Sequence, residues 1–303
     1  MFLVSNEDLV SAVSNNGAIG GAPSLNWRTT ELFKAAVQKI KTQTKKPFVV
    51  NLIVNKVNPR VDADLDICIE EKVPMVITSL GNPKTIIEKV HSYGGKVFCD
   101  VTDMKYAQKV QDLGCDGVIA VCSGAGGHAG PISPLVLVPY LKTKIKVPVV
   151  LAGGIATGRQ ILAGLVLGAD AVQIGTRFIA TKEAGVSAEY KKAIIDANPE
   201  DIVLTKRISG TPAAVIKTQY IEKTGLELGF VEKLLLKNST TKKYMKLFRA
   251  VVGQKALEKA AQTTTWKNVW SAGQGVGLID EVLPASTVVK NLIHEYWEAK
   301  NGI

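Results

Sequence analysis

Short apolar runs alternate with helical patterns from residue 6 to about residue 180. Asn6–Asn15 reads as a helix and Gly17–Gly21 as a short strand. In Thr30–Lys41 the apolar positions Leu32, Phe33, Ala36, Val37 and Ile40 fall on one helical face. Phe48–Val54 is a continuous apolar run broken only by Asn51. The alternation continues with helix Val61–Glu71, strand Pro74–Thr78, helix Pro83–Tyr93 and strand Lys96–Val101. Asp103 is placed to cap a helix running to Leu113, and Val118–Cys122 is the next strand. A glycine cluster extends to Gly130; helix Pro134–Lys144, strand Val147–Leu151, helix Gly158–Leu167 and strand Ala171–Ile174 follow.

Strands that are apolar throughout are covered on both faces, as parallel strands under helices are. The pattern predicts an α/β chain folded as a (β/α)₈ TIM barrel. Seven strands can be counted, near residues 17, 48, 74, 96, 118, 147 and 171. An eighth would have to precede the first helix, where only Met1–Val4 is available. The first barrel strand is therefore expected to be largely absent. A doubly wound sheet is the alternative, but no glycine fingerprint follows the first strand.

After Thr181 the rhythm changes. Glu183–Ala197 looks helical, Ile202–Ser209 extended, and Tyr220–Val252 helical and basic. Val282-Leu283-Pro284 opens a last helix with Ala285, Val288, Val289, Leu292, Ile293, Tyr296 and Trp297 on one stripe, which predicts that it docks on the barrel. The expected organisation is a barrel from residues 1–180 and 271–303, with residues 181–270 as a helical insertion or lid.

Composition narrows the class. A chain of 303 residues with 46% apolar and 21% charged positions has enough material for a large core. The four cysteines form no CxxC pair and read as free thiols in a reducing compartment. No secretory pattern opens the chain, and the most apolar stretch, Ile161–Ala180, contains Asp170 and Arg177. A cytoplasmic protein without a membrane partner is expected. The net charge is +10, with basic residues dense over Lys233–Lys259. No zinc-finger spacing or RNA-binding aromatic motif accompanies that run, so it reads as a solvated helical surface rather than a nucleic-acid site.

Candidate chemistry lies at strand ends. Ala152-Gly153-Gly154-Ile155 and Gly175-Thr176-Arg177-Phe178 end two successive strands, the last two of a barrel. Glycines there let main-chain N–H groups approach a phosphate, and Thr176 adds a hydroxyl. Ser123–Gly130 holds four glycines around His128, at the strand end where barrels keep their chemistry. His91 and His294 sit on helices. Asn51, inside an apolar strand, needs a partner, either main chain or the polar edge of a ring. Cys122 reads as a small buried residue. Asp62, Asp64 and Asp66 lack the glycine and distal glutamate of a calcium loop and read as a solvated helix start; no metal site is expected.

With these motifs the chain resembles the nitronate monooxygenase family, formerly called 2-nitropropane dioxygenases, which are FMN-dependent (β/α)₈ barrels. The residues that carry the likeness are Ala12–Gly17, Asn51, Ala125–Gly130, Ala152–Ile155 and Gln173–Phe178, and it resumes from Ser271 through the last helix. A close relative is the flavin-type enoyl-acyl-carrier-protein reductase. The resemblance implies FMN as cofactor. It places Asn51 and Gly126 at the flavin, and Gly153, Gly154, Gln173, Gly175 and Thr176 at its ring edge and phosphate. It makes His128 the base that removes the α-proton of a nitroalkane or orients the nitronate, and sets Gln274 near the flavin. The family often has Gln at the position of Val121 and Glu at that of Gly124, so an amide and a carboxylate near His128 are replaced here.

The reaction so implied converts a nitronate and O₂ into a carbonyl compound and nitrite. The alternatives are an NAD(P)H-dependent reductase of enoyl thioesters, whose basic insertion would receive an acidic carrier, and a flavin-binding protein without turnover. The expected partners are thus a small-molecule nitronate or enoyl-thioester substrate with O₂ or NAD(P)H, and a homo-oligomer is admitted.

Overall fold

The computed structural model describes residues 1–55, 58–206, 212–226 and 269–302. The basic run Lys233–Lys259 and most of the helix expected over 220–252 lie outside the described residues.

Seven parallel strands follow one another in chain order within one sheet: β1 (Gly20–Pro23), β2 (Phe48–Ile53), β3 (Met75–Ser79), β4 (Lys96–Val101), β5 (Gly117–Val121), β6 (Val149–Ala152) and β7 (Ala171–Gln173). Before them comes α1 (Glu7–Asn15). Between them run α2 (Thr30–Gln43), α3 (Val61–Glu70), α4 (Lys84–His91), α5 (Met104–Asp112), α6 (Pro134–Lys142) and α7 (Gly158–Val166). This is the βα succession of a TIM barrel one strand short. The strands match the seven predicted, with β1 displaced toward Pro23. Met1–Val4 forms no strand, and β1 and β7 are the sheet's edges. The helix starts follow from capping chemistry. Asn6, Thr29, Asp103, Ser133 and Thr157 each accept a main-chain N–H from the first turn of α1, α2, α5, α6 and α7.

The strands are not buried equally on both faces, as their apolar sequence suggests. Val50, Leu52, Val76, Val97, Cys99, Val118, Ala120, Val149 and Leu151 face the helices and are fully buried. The opposite face holds Asn51, Ile77, Ser79, Phe98, Asp100, Val121 and Val150, all only partly buried, beside the buried Val49 and Ile119. On the edge strand β7, Ala171 and Gln173 are exposed. The inner face lines a curled half-barrel, and polar side chains stand on it among the apolar ones.

Beyond β7 the chain forms α8 (Thr176–Ile179), α9 (Ala188–Asp196), strands β8 (Ile202–Thr205) and β9 (Ala213–Ile216), and α10 (Gln219–Thr224). The helix expected from Glu183 begins only at Ala188, where Ser187 caps it. β8, within the extended run expected over Ile202–Ser209, forms an antiparallel pair with β9. It ends where it began: Lys182 N–H donates to the Leu283 carbonyl, and the buried Arg177 guanidinium bonds the carbonyls of Ala180 and Glu281.

α11 (Ala285–Asn301) then buries Ala285, Val288, Val289 and Leu292, whereas Ile293 and Trp297 of the predicted stripe are exposed. Leu32 of α2 is exposed as well. Asp64 departs from the solvated reading of its cluster. It is fully buried, ion-paired to Arg60 at 2.9 Å and hydrogen-bonded by Thr30 Oγ1 at 2.9 Å. Among the described residues no helix is long and apolar enough to cross a membrane, and no cluster of metal-ligating side chains exists. The four cysteines are free and buried.

α11 crosses the start of α7 at very short range. A Cβ on Gly158 would stand 2.2 Å from the Tyr296 nitrogen and 2.4 Å from the Leu292 carbonyl oxygen. At Gly164 the nearest atom would be a Leu151 methyl carbon at 2.9 Å, which can turn aside. Gly158→Ala is therefore expected to lower stability by about 2 kcal/mol. At Gly164→Ala the helix-propensity gain of about 1 kcal/mol offsets the crowding. Urea midpoints of the two variants check this ordering.

Candidate active site

The loop leaving β5 turns at once. Cys122 N–H donates to the Ala152 carbonyl and Ser123 N–H to the Ile132 carbonyl, which binds both ends of the glycine segment to the barrel. Cys122 is buried, its thiol bonded to the Ala120 carbonyl and its pKa pushed up to about 12 by burial, so it offers no thiolate. Gly126 and Gly273 belong where they are for steric reasons. A Cβ on Gly126 would lie 2.8 Å from main-chain atoms of Ala272 and Gly273, and one on Gly273 would lie 2.4 Å from the Gly124 carbonyl oxygen. Gln274 N–H donates to that same carbonyl at 3.0 Å. On its other flank the loop pairs with β9, where Gly127 and Ala214 exchange N–H···O bonds of 3.0 and 2.7 Å.

His128 follows directly, exposed at the rim of this clamped loop. Neighbouring protein removes enough water to lower its imidazole pKa below the ordinary 6.5. The other histidines are engaged elsewhere. His91 meets Asp116 at 2.7 Å and His294 meets Glu298 at 3.6 Å.

The loop after β6 lies beside the glycine segment. Gly153 and Gly154 both take positive φ, 128° and 74°. A Cβ on Gly153 would crowd the Ala125 nitrogen and the Cys122 carbonyl oxygen at 3.1 Å, whereas at Gly154 the same position opens into free space. Their main-chain N–H groups make no hydrogen bond among the described residues. The start of α7, by contrast, is spent. Gln160 Oε1 takes the N–H groups of Ala156 and Thr157, and Glu295 Oε2 takes that of Gly158 at 2.6 Å. Any anion held here rests on the glycine pair, not on that helix end. Gly175 caps α8 with a negative φ, and a Cβ there would meet Met1 only at an ordinary 3.6 Å. The Thr176 hydroxyl accepts from Gly273 N–H at 2.9 Å and keeps its own proton to donate.

Gly126, Gly153, Gly154, Thr176 and Gln274 are thus drawn together at the C-terminal ends of β5, β6 and β7, with His128 two residues beyond Gly126 on the same loop. A cleft of about 470 Å³ adjoins them, with Ser123, Gly154, Gln160 and Gln274 in its wall. Gln173 stands exposed on β7. Asn51 lies on the inner face of β2. Its partner is neither main chain nor ring in this structure: Nδ2 donates to Ser79 Oγ at 2.7 Å, and the Ser79 hydroxyl donates in turn to Asp100. Sequence reasoning missed Ser79 and Asp100. The signal was present in Asp100, a carboxylate inside the apolar run Lys96–Val101.

The fit to FMN can be judged from these residues. One rim offers unpaired N–H groups, a left-handed glycine with open space beside it and a hydroxyl donor, as a phosphate requires. The inner wall offers an amide for a polar ring edge. The residues fit the group.

Likeness to known proteins agrees. The chain is 28% identical to a substituted octahydro-indene-carboxyl-CoA dehydrogenase of Rhodococcus jostii, over 96% of this chain and 89% of that one. It is 29% identical to a probable nitronate monooxygenase of Staphylococcus saprophyticus, covering 97% and 92%. The structure of FabK from Thermotoga maritima superposes with a TM-score of 0.83 at 33% identity, covering 100% and 92%. A model of the nitronate monooxygenase family matches residues 1–295, and with this barrel and this mouth the chain belongs to that family.

Proposed function

We propose that the chain is an FMN-dependent nitronate monooxygenase, which oxidises alkyl nitronates with O₂ to carbonyl compounds and nitrite. The observation that carries the reading is the pair Gly153–Gly154, whose N–H groups are unpaired among the described residues and whose open left-handed turn sits beside the loop that presents His128. Gly153, Gly154, Gly175 and Thr176 hold the phosphate. Asn51, Gly126 and Gln173 meet the ring, and Gln274 closes over it. When bound, FMN supplies the electron transfer that no side chain at this mouth can perform.

The protein's part is to bind, orient and move one proton. His128 takes the α-proton of a neutral nitroalkane, or orients a nitronate that arrives already ionised. Two features keep its imidazole neutral and ready to accept. Desolvation lowers its pKa, and Gly124 supplies no carboxylate to stabilise the imidazolium. Residues 181–270 act as the lid, with β9 bracing the His128 loop through Gly127.

A second reading is favoured by the relative that acts on a carboxyl-CoA: reduction of an enoyl thioester by NAD(P)H, with the cleft beside the mouth receiving the acyl carrier. Purified protein loaded with FMN separates the readings. Nitrite release from a nitronate under air supports the monooxygenase, rapid anaerobic bleaching by NADH the reductase, and neither response a binding protein without turnover.

Three outcomes are expected on the first reading. His128→Ala retains FMN and loses about 10²–10⁴-fold in kcat/KM on neutral nitroalkanes, with a much smaller loss on preformed nitronates; equal losses would remove the base role. Because the active base is the neutral imidazole and its pKa is lowered, the kcat/KM of the parent on neutral nitroalkanes holds its plateau through pH 7 and declines only below 6.5. Thr176→Val weakens FMN about tenfold or more, the worth of a hydrogen bond to a charged group, and weakens riboflavin, which loses only the Gly273 support, by much less, as fluorescence titration will record.

A further inference from the structure

We propose that Asp100 is a positioning residue: through Ser79 it holds the Asn51 amide with its carbonyl turned to the barrel mouth, so that flavin binding is coupled to the charge on Asp100. The inference rests on the flavin reading above and adds a residue to it.

Asn51, Ser79 and Asp100 stand on three neighbouring strands, β2, β3 and β4, on the inner face of the sheet. An ionised carboxylate only accepts hydrogen bonds. The single Ser79 proton must then point to Asp100, and the Ser79 lone pair is left to accept from Asn51 Nδ2. That sets the amide, whose two ends are otherwise interchangeable, and leaves its carbonyl as the group for a ring N–H. Protonation of Asp100 reverses the chain. The carboxyl can donate to Ser79, Ser79 can donate to the Asn51 carbonyl, and the amide turns its NH₂ outward.

The chain is poised for this change. Asp100 Oδ1 is buried with no hydrogen-bond partner. Burial raises the carboxyl pKa to about 6, against the lesser pull of the Ser79 bond. No acid or base comes from β3 or β5, where the inner face presents Ile77, Ser79, Ile119 and Val121. The titratable groups near Asp100 are Cys99 on its own strand, which points to the helices, and Tyr106 on α5, whose hydroxyl bonds the Gly81 carbonyl. Cys122 and His128 follow on the loop after β5. Val121 matters here. Where relatives are expected to carry an amide on this wall, the present chain has an apolar residue, and Asp100 on the adjacent strand brings the polarity back.

The test is the affinity of the full-length protein for riboflavin between pH 5 and pH 8, read by flavin fluorescence. Riboflavin has the ring without the phosphate, whose own second ionisation falls near pH 6. The parent is expected to bind about three- to tenfold more weakly at pH 5 than at pH 7.5, the range of one hydrogen bond. Asp100→Asn and Ser79→Ala are each expected to bind with no pH dependence; a purely structural carboxylate would change overall affinity without removing the slope. A parent that binds equally at all pH values, or more tightly in acid, overturns the inference, and so does an Asp100→Asn variant that keeps the parent slope. Those results leave the flavin reading standing, whereas a parent that takes up neither FMN nor riboflavin at any pH overturns both. If one variant fails to fold, the other decides against the parent, because His128 at the same mouth also changes charge in acid and the parent's slope alone does not isolate Asp100.

Discussion

At the mouth, the loop after β5 lies on Ala272–Gly273 with no side chain between them, main chain against main chain. The distances leave room for hydrogen only, since a Cβ at 126 or 273 would sit inside the van der Waals radius of a backbone atom. The contact is locked by Gln274 N–H on the Gly124 carbonyl and by Gly273 N–H on the Thr176 hydroxyl. Three separate stretches, ending β5, ending β7 and returning before α11, thereby become one rigid block. The spacing between His128, the glycine pair and Thr176 follows from that block. A proton-transfer group needs such a support, because a misplacement of an ångström costs orders of magnitude in rate.

The inner wall obeys a different constraint. Strands of a parallel barrel are apolar because helices bury their outer face, yet this sheet's inner face carries Asn51, Ser79 and Asp100. A lone buried carboxylate would be costly. Linked through a hydroxyl to an amide, it becomes a directional chain instead, with each proton assigned by its neighbour. The half-used carboxylate at its end, with one oxygen unpaired, keeps the chain responsive to pH.

Much of this was legible beforehand. The seven strands, the glycine-rich ends of β5 to β7, His128 on a loop and the docking of the last helix can all be read from period, turn chemistry and spacing. Errors arose where tertiary contacts override local pattern. Asp64 looked like a solvated helix start, but Arg60 and Thr30 converge on it in the interior. The run Ile202–Ser209 looked extended and its first half is β8, but the partner strand β9, which also pairs with the His128 loop at Gly127, carried no such signal.

By itself the sequence determined the order of elements, because apolar period and capping residues act over a few positions. It also determined the kind of chemistry available, because glycine, histidine and threonine are specific in what they can do. Only the tertiary structure decided which donors remain unpaired and which side chains share a wall. Gly153 and Gly154 are open because none of the described residues folds back on their N–H groups, and the α7 start is closed because Glu295, 137 residues away, reaches it. Asn51, Ser79 and Asp100 are far apart in the chain and meet only when parallel strands fall into register. Hydrogen-bond satisfaction is a property of neighbours in space, and no local pattern encodes it.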